Sequence, residues 1–284
     1  MSSPNGKIET IVSKPGQLIA FPLKSSDGAL DYISPSSLKL YLTCSLKFYF
    51  KKVLQLPEPS SPALVFGKAV HAALQAFWLA RWREGDTSAD ATQQAFKDAL
   101  AHMVREEDVT LKDSELDKLT VKGESLIQAY LDSDHAKSEG KPVGVEVKLE
   151  EHFPELPSPL LGYIDLVKPG NVLVDFKTCA STPNLELEAF QHGLQLTAYQ
   201  LLVEEATGSK VTARELVFLV KTKEPKVIVH TIPPASDADI ARLWAMAEHA
   251  VKGIYEESWV PQPGMHCAWC AYRKECSQWA GGLS

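Results

Sequence analysis

A chain of 284 residues can bury a full hydrophobic core, and 45% hydrophobic with 23% charged residues is the balance of a globular domain, not of a fibrous or disordered chain. A formal net charge of −7 argues against a protein that coats nucleic acid by bulk electrostatics, so any contact with a polyanion must come from a local basic surface. No uninterrupted apolar run approaches the roughly 18 residues of a membrane span, and the opening MSSPNGKIETIVSKPG lacks a signal peptide's apolar core, so a cytoplasmic protein without a membrane partner is expected.

In chain order, residues 1–31 are rich in Ser, Pro, Gly and Lys and read as an extended arm. Ser34-Pro35 is a helix start, with Ser34 as N-cap and Pro35 in the first turn, and the helix that follows, LKLYLTCSLKFYFKKVL, carries Cys44. Between Asp31 and Glu58 there is no acidic residue, and Lys39, Lys47, Lys51 and Lys52 interleave with Tyr41, Phe48, Tyr49 and Phe50. Such a stretch can hold phosphates and stack bases, or it can be a helix with an aromatic core face and snorkelling lysines. Pro57 to Pro62 reads as a linker. Phe66 to Arg83 has helical periodicity with His71, Leu74, Gln75 and Trp78 on one face, where a histidine is more often packed than ligating.

Residues 85–135 hold two amphipathic patterns and read as a helical insert. Val143 to Leu149 alternates as a strand, with Glu146 on the face opposite Val145 and Val147. Leu185 to Ala206 reads as a helix in which Gln195 and Tyr199, four residues apart, project together. Ala213 to Lys221 and Lys226 to Thr231 are strands, Ala238 to Glu256 is a helix, and a tail from Pro261 carries three cysteines.

The chemistry concentrates in GYIDLVKPGNVLVDFKT, residues 162–178. Two β-branched runs flank Pro169-Gly170-Asn171, a turn cluster, so the segment reads as a hairpin. Antiparallel pairing about Gly170 puts Asp165 opposite Asp175, with Lys177 on the face of Asp175. Paired carboxylates on an apolar sheet are costly unless a cation sits between them, and hard oxygen ligands suit magnesium or manganese. Anionic ligands, a Lewis acid and a nearby ammonium are what water attack on a phosphodiester requires. The plainer alternative is a salt bridge between Asp165 and Lys177 on a solvated face.

Five cysteines in a chain without a secretion signal do not suggest a disulfide framework. Cys267, Cys270 and Cys276 form C-x2-C-x5-C, and Cys44 is the fourth thiol that would close the longest loop; Cys179 sits beside Lys177 instead. Spacing alone leaves zinc and [4Fe-4S] both open, with His266 a substitute ligand in a zinc site.

Taken together, ISPSSLKLYLTCSLKFYFKKV, FGKAVHAAL, GYIDLV, VLVDFKT, QLTAYQLL and CAWCAYRKEC occur in an order that resembles the RecB-like branch of the PD-(D/E)XK nuclease superfamily, over most of residues 33–277. The cysteines, split one at the front and three at the back, are similar to those of its iron–sulfur members: the CRISPR-associated RecB-like exonucleases, the AddB nuclease domain and exonuclease V. The resemblance implies a restriction-endonuclease-like three-layer α/β core with a mixed central sheet, spanning residues 32–284 and ending in a cluster-binding tail at 261–277. It implies that His71, Asp165, Asp175 and the Phe176 carbonyl bind Mg2+ or Mn2+, and that Lys177 orients water or stabilises the transition state. Gln195 and Tyr199 would contact DNA or steady the lysine, and Glu146 would be a further ligand or a supporting acid. Cys44, Cys267, Cys270 and Cys276 would hold a [4Fe-4S] cluster, although Ser45 stands where these proteins normally have proline after the cysteine. The implied activity is metal-dependent cleavage of DNA, exonucleolytic on single strands, in repair, recombination or CRISPR adaptation, with a helicase or CRISPR adaptation partner. The rival is a non-catalytic DNA-binding or scaffold module retaining the fold.

Overall fold

The structure, a computed structural model, describes residues 30–138 and 140–281, so the expected arm lies almost wholly outside the described residues. Helices α1 (Pro35–Thr43), α2 (Ser45–Phe48), α3 (Pro62–Trp82), α4 (Ala89–Glu106), α5 (Asp113–Leu131) and α6 (Asp134–Lys137) precede strands β1 (Gly144–Glu151), β2 (Leu160–Lys168) and β3 (Val172–Cys179). Then come α7 (Leu185–Thr207), β4 (Ala213–Val220), β5 (Lys226–Ile232), α8 (Asp237–Tyr255) and α9 (Arg273–Gln278). The sheet order is β1-β2-β3-β4-β5, antiparallel throughout except for the parallel pair β3–β4 that α7 connects. This is the mixed sheet expected.

Each face of the sheet is covered. Leu173 enters a core with α1, α7 and α8, and its neighbour Val174 enters another with α3, α4 and α5, as the period of two in a strand requires. β4 is buried on both sides, Val217 and Leu219 facing one way and Leu216 and Phe218 the other. At 21 residues, with a mean hydropathy of 1.4 in its most apolar window, α3 is long and apolar enough to cross a membrane by those measures. Here Val65, Phe66, Ala69, Val70 and Leu74 spend that apolarity in the core.

The front of the chain departs from expectation. The run around Cys44 is not one helix: Cys44, at φ −165° and ψ 104°, ends α1 and caps α2, its Sγ accepting the Lys47 N–H at 3.4 Å, and a π-helical turn follows at Tyr49–Val53. Nor do the interleaved aromatics form a base-stacking surface. Tyr41, Phe48, Tyr49 and Phe50 are all buried, Trp259 stacks on Phe48 and Tyr49, and Lys47 and Lys51 both pair with Glu58. The aromatic-core alternative is the correct one, because the tail supplies the ring that covers them. Ser45 joins front and tail directly, since its hydroxyl accepts from the Val260 N–H at 2.9 Å while the Leu46 N–H donates to Val260 O at 3.2 Å.

A polar thread ties the helical segment to the sheet. Trp78 Nε1–H donates to the Tyr130 oxygen (2.8 Å), whose own proton goes to His135 Nδ1 (3.0 Å). His135 Nε2–H then donates to Glu215 Oε2 (3.2 Å), which also meets Lys168 Nζ at 2.7 Å. An indole nitrogen only donates and a carboxylate only accepts, so with a neutral imidazole between them the thread runs in this one direction.

Candidate active site

The hairpin forms about Gly170 (φ 77°) and Asn171 (φ 55°), both in the left-handed region, which glycine and asparagine tolerate best. β2 and β3 pair at Leu166↔Val174, Val167↔Leu173 and Lys168↔Val172, a register that sets Asp165 across from Asp175 as expected. There the ladder stops. The Phe176 N–H donates not to a strand carbonyl but to Asp165 Oδ2, at 2.8 Å.

The cause lies partly in β1. Val145 and Val147 pair with Leu166 and Ile164, but Glu146 between them, opposite Asp165, has φ 48°. A left-handed conformation in a non-glycine strand residue costs on the order of 1 kcal/mol and turns the chain. Ile164 accordingly packs into the α1–α7–α8 core and Leu166 into the α3–α4–α5 core, although a regular strand would put both on one face. Asp165 stands at this crossover, within reach of α3 on one side and β3 on the other. Within β1 itself Val145 packs with the α3 core and Leu149 with the opposite one, so the strand does not keep one apolar face along its length.

Four charged side chains converge on the opening. His71 Nδ1, from α3, lies 3.5 Å from Asp165 Oδ2. Lys177 Nζ lies 2.5 Å from Asp175 Oδ2, so the lysine pairs along its own strand and not with Asp165. Gln195 Nε2 donates to Asp175 Oδ1 (3.3 Å) and to the Tyr199 oxygen (2.9 Å), which confirms that the two α7 residues project together. α7 comes this near because Gly162 on β2 has no side chain: a Cβ there would stand 2.6 Å from Leu202 and 3.0 Å from Tyr199.

Asp175 is 3% exposed, with its Oδ2 against the Lys177 ammonium and its Oδ1 against Gln195. Burial holds its carboxyl above the usual range and the charge of Asp165 adds to this, with Lys177 offsetting part. His71 is pulled down by burial, but hydrogen bonding to Asp165 and its charge outweigh that, and its pKa is raised. Glu146 is raised by the shielding of the cleft and by Asp165. A cleft of about 490 Å³ opens over these groups, lined by His71, Gln75, Glu146, Asp165, Lys177 and Thr178 among others.

Two residues of the site were not assigned to it from sequence. Lys39 reaches from α1 to Gln191 O (3.3 Å), and burial together with the Lys177 ammonium lowers its pKa. His192 is pushed down to about 4 by burial, Lys177 and Lys39; its Nδ1 lies 3.3 Å from Gln195 Oε1 and its Nε2 3.4 Å from Glu188 Oε2. Its position three residues before Gln195 on one helix was the available signal.

At the far end of α2, Cys44, Cys267, Cys270 and Cys276 line one small cavity of about 60 Å³ together with His266, whose buried Nε2 has no hydrogen-bond partner. Burial and the other three thiols push Cys276 up. Cys179 is elsewhere, at the end of β3 against Leu196 and Phe218. Among the described residues, no three His, Cys, Asp or Glu side chains are already drawn into a group that could hold a metal ion, either here or in the cleft.

A mixed sheet opened at its central hairpin, with two aspartates, a lysine and a histidine meeting at the gap, defines a site of the nuclease class. The sequence matches the family model of the PD-(D/E)XK nuclease superfamily over residues 32–277, and the chain belongs to that superfamily. Its fold is similar to that of an inferred exonuclease from Eubacterium rectale, with a TM-score of 0.60 at 16% identity, covering 89% of this chain and 93% of that one. The solved protein SSO0001 aligns at a TM-score of 0.38 and 16% identity over 65% of this chain and 81% of its own. No curated protein matches the sequence.

Proposed function

We propose that this chain is a Mg2+- or Mn2+-dependent deoxyribonuclease acting as an exonuclease on single-stranded DNA. The observation that carries the reading is the buried Asp175 carboxylate, paired with the Lys177 ammonium and in register with Asp165, itself 3.5 Å from His71. A donor set of two carboxylates and an imidazole fits a hard divalent cation, and His71, Asp165, Asp175 and the Phe176 carbonyl are the groups that would hold it. Such an ion supplies Lewis acidity and a more acidic bound water.

The chain's own residues do the rest. Hydrolysis delivers hydroxide to phosphorus and a proton to the departing sugar oxygen, and negative charge builds on the non-bridging oxygens as it proceeds. Lys177 stabilises that charge, a role its position in the cleft lining supports. Gln195 holds Asp175 from behind and is itself held by Tyr199 and His192, so the carboxylate keeps one orientation. Glu146 supports Asp165 from the neighbouring strand or joins the ligand set.

The test is digestion of end-labelled single- and double-stranded DNA, with free and blocked ends, in Mg2+, Mn2+ or chelator. Loss of label from free single-stranded ends only, abolished by chelator, is the expected result. Cleavage that survives chelator would overturn the metal assignment, and equal attack on blocked ends would overturn the exonuclease assignment.

We propose further that Cys44, Cys267, Cys270 and Cys276 hold a [4Fe-4S] cluster, which the convergence of four thiols on one cavity supports. Anaerobically purified protein should be brown and contain iron and sulfide; a colourless, zinc-loaded protein would instead assign the site to zinc, with the unpartnered His266 available to it.

A further inference from the structure

A further cavity, of about 490 Å³, lies between α5 and the turn joining β4 to β5, lined by Asp117, Lys118, Val121, Lys122, Ser125, Lys221, Thr222, Lys223 and Pro225. In a chain of net charge −7, four lysines around one groove are an exception. Among the described residues none of the four forms an ion pair, Asp117 is the single acid in the lining, and the nearby Glu124 is taken by Lys97 at 3.3 Å. Glu224, the acid of the turn itself, is not part of the lining.

Lys221 is held in place. Its ammonium stands over the Phe66 ring at 5.0 Å, and its N–H donates to Cys179 O at 2.8 Å. Burial and the like charge of Lys122, which lines the same groove, both lower its pKa. Four like charges gathered with a single carboxylate among them are unfavourable until a further anion joins them.

The groove adjoins the active-site cleft. Phe66, beneath Lys221, precedes Gly67, which lines the cleft, and Cys179 follows Thr178, which also lines it. Phe66 and His71 are five residues apart on α3, about 7.5 Å along the helix axis.

We propose that this lysine groove holds non-scissile phosphates of the DNA strand whose scissile bond lies in the cleft, Lys118, Lys122, Lys221 and Lys223 contacting the backbone. Val121, 62% exposed in the lining, offers an apolar surface to a base of the same strand. The proposal rests on the nuclease reading for the identity of the strand, but it concerns binding and can fail separately.

Lys118, Lys122 and Lys223 are exposed, so a K118A/K122A/K223A variant should keep the native fold by circular dichroism while Lys221 stays packed on Phe66. Binding of a labelled single-stranded oligonucleotide in chelator, where no cleavage occurs, should weaken on the order of tenfold at low salt, and the slope of log K against log salt should fall by about 2. In the presence of metal the variant should raise KM for the oligonucleotide with kcat unchanged, because no group at the reacting phosphate is altered. An unchanged affinity and salt slope would overturn the groove while leaving the nuclease intact. Wild-type protein that binds through these lysines yet cuts no DNA would overturn the nuclease reading and leave the groove.

Discussion

Asp165 Oδ2 accepts the main-chain N–H of Phe176 at 2.8 Å, where the next rung of the β2–β3 ladder would have been. The carboxylate is thereby a structural part as well as a candidate ligand, and two substitutions separate the roles. Asp165→Asn keeps an oxygen acceptor and should retain stability while losing cleavage. Asp165→Ala leaves the buried N–H unpaired and should cost about 1–3 kcal/mol in addition. Urea denaturation of both variants beside a cleavage assay checks this, and equal stability of the two would show that the hydrogen bond contributes nothing.

Asp175 should trade stability for function. Its raised pKa means that the folded state penalises the carboxylate, a cost present at neutral pH and relieved as pH falls through the native value. Asp175→Asn removes the penalty, so in chelator the variant should melt at a higher temperature than wild type while cleaving at least on the order of 10³-fold more slowly. A lower melting temperature would mean that the Lys177 contact outweighs the burial of the charge.

The Glu215 end of the polar thread should set an acid limit on stability. Burial alone would raise this carboxyl, but hydrogen bonds from His135 and Lys168 and their charges outweigh it, and its pKa is lowered. A depressed carboxylate contributes stability that is fully present above its unfolded pKa of about 4.3 and is lost as pH falls through the lower native value. Glu215→Gln should lose about 3 kcal/mol at neutral pH and show a flatter acid limb below about pH 4.3. Melting curves of wild type and variant across the acid range make the comparison.

Serine substitution of Cys44, Cys267, Cys270 or Cys276 should each abolish the brown colour of anaerobic protein, whereas Cys179→Ser should keep it. The tail should nevertheless stay docked, through Ser45 and Val260 and through the Tyr272 hydroxyl, which donates to Leu56 O at 3.0 Å. Far-UV circular dichroism close to wild type with a reduced melting temperature is the expected pair of results; complete unfolding would show that these bonds cannot hold the tail alone.

The hairpin was legible because a period of two and a turn cluster determine which residues face each other, and the register Leu166↔Val174 carries Asp165 to Asp175. The α7 pair was legible for the same local reason. His71 was not: its helical face was evident, but its approach to Asp165 depends on the crossover of β2 at Asp165, opposite the left-handed Glu146 of β1, a backbone conformation that nothing in an unremarkable Val-Glu-Val announces. The break at Cys44 was hidden likewise, since the run around it is apolar and helix-compatible throughout, and only the Val260 strap explains why the chain turns there. The family motifs pointed to these residues before any geometry was available, but they did not reveal Lys39, His192 or the lysine groove.

The clasp between Ser45 and Val260 also bears on how the chain is made. A contact spanning 215 residues has to wait until the tail has left the ribosome, so α1 and α2 emerge early with Tyr41, Phe48 and Tyr49 still lacking the indole that covers them. The opposite core, assembled from residues between Val65 and Leu219, is complete well before that point. Synthesis therefore passes through an interval in which the sheet can form on its α3 side while its other side waits for the segment around Trp259 and Val260.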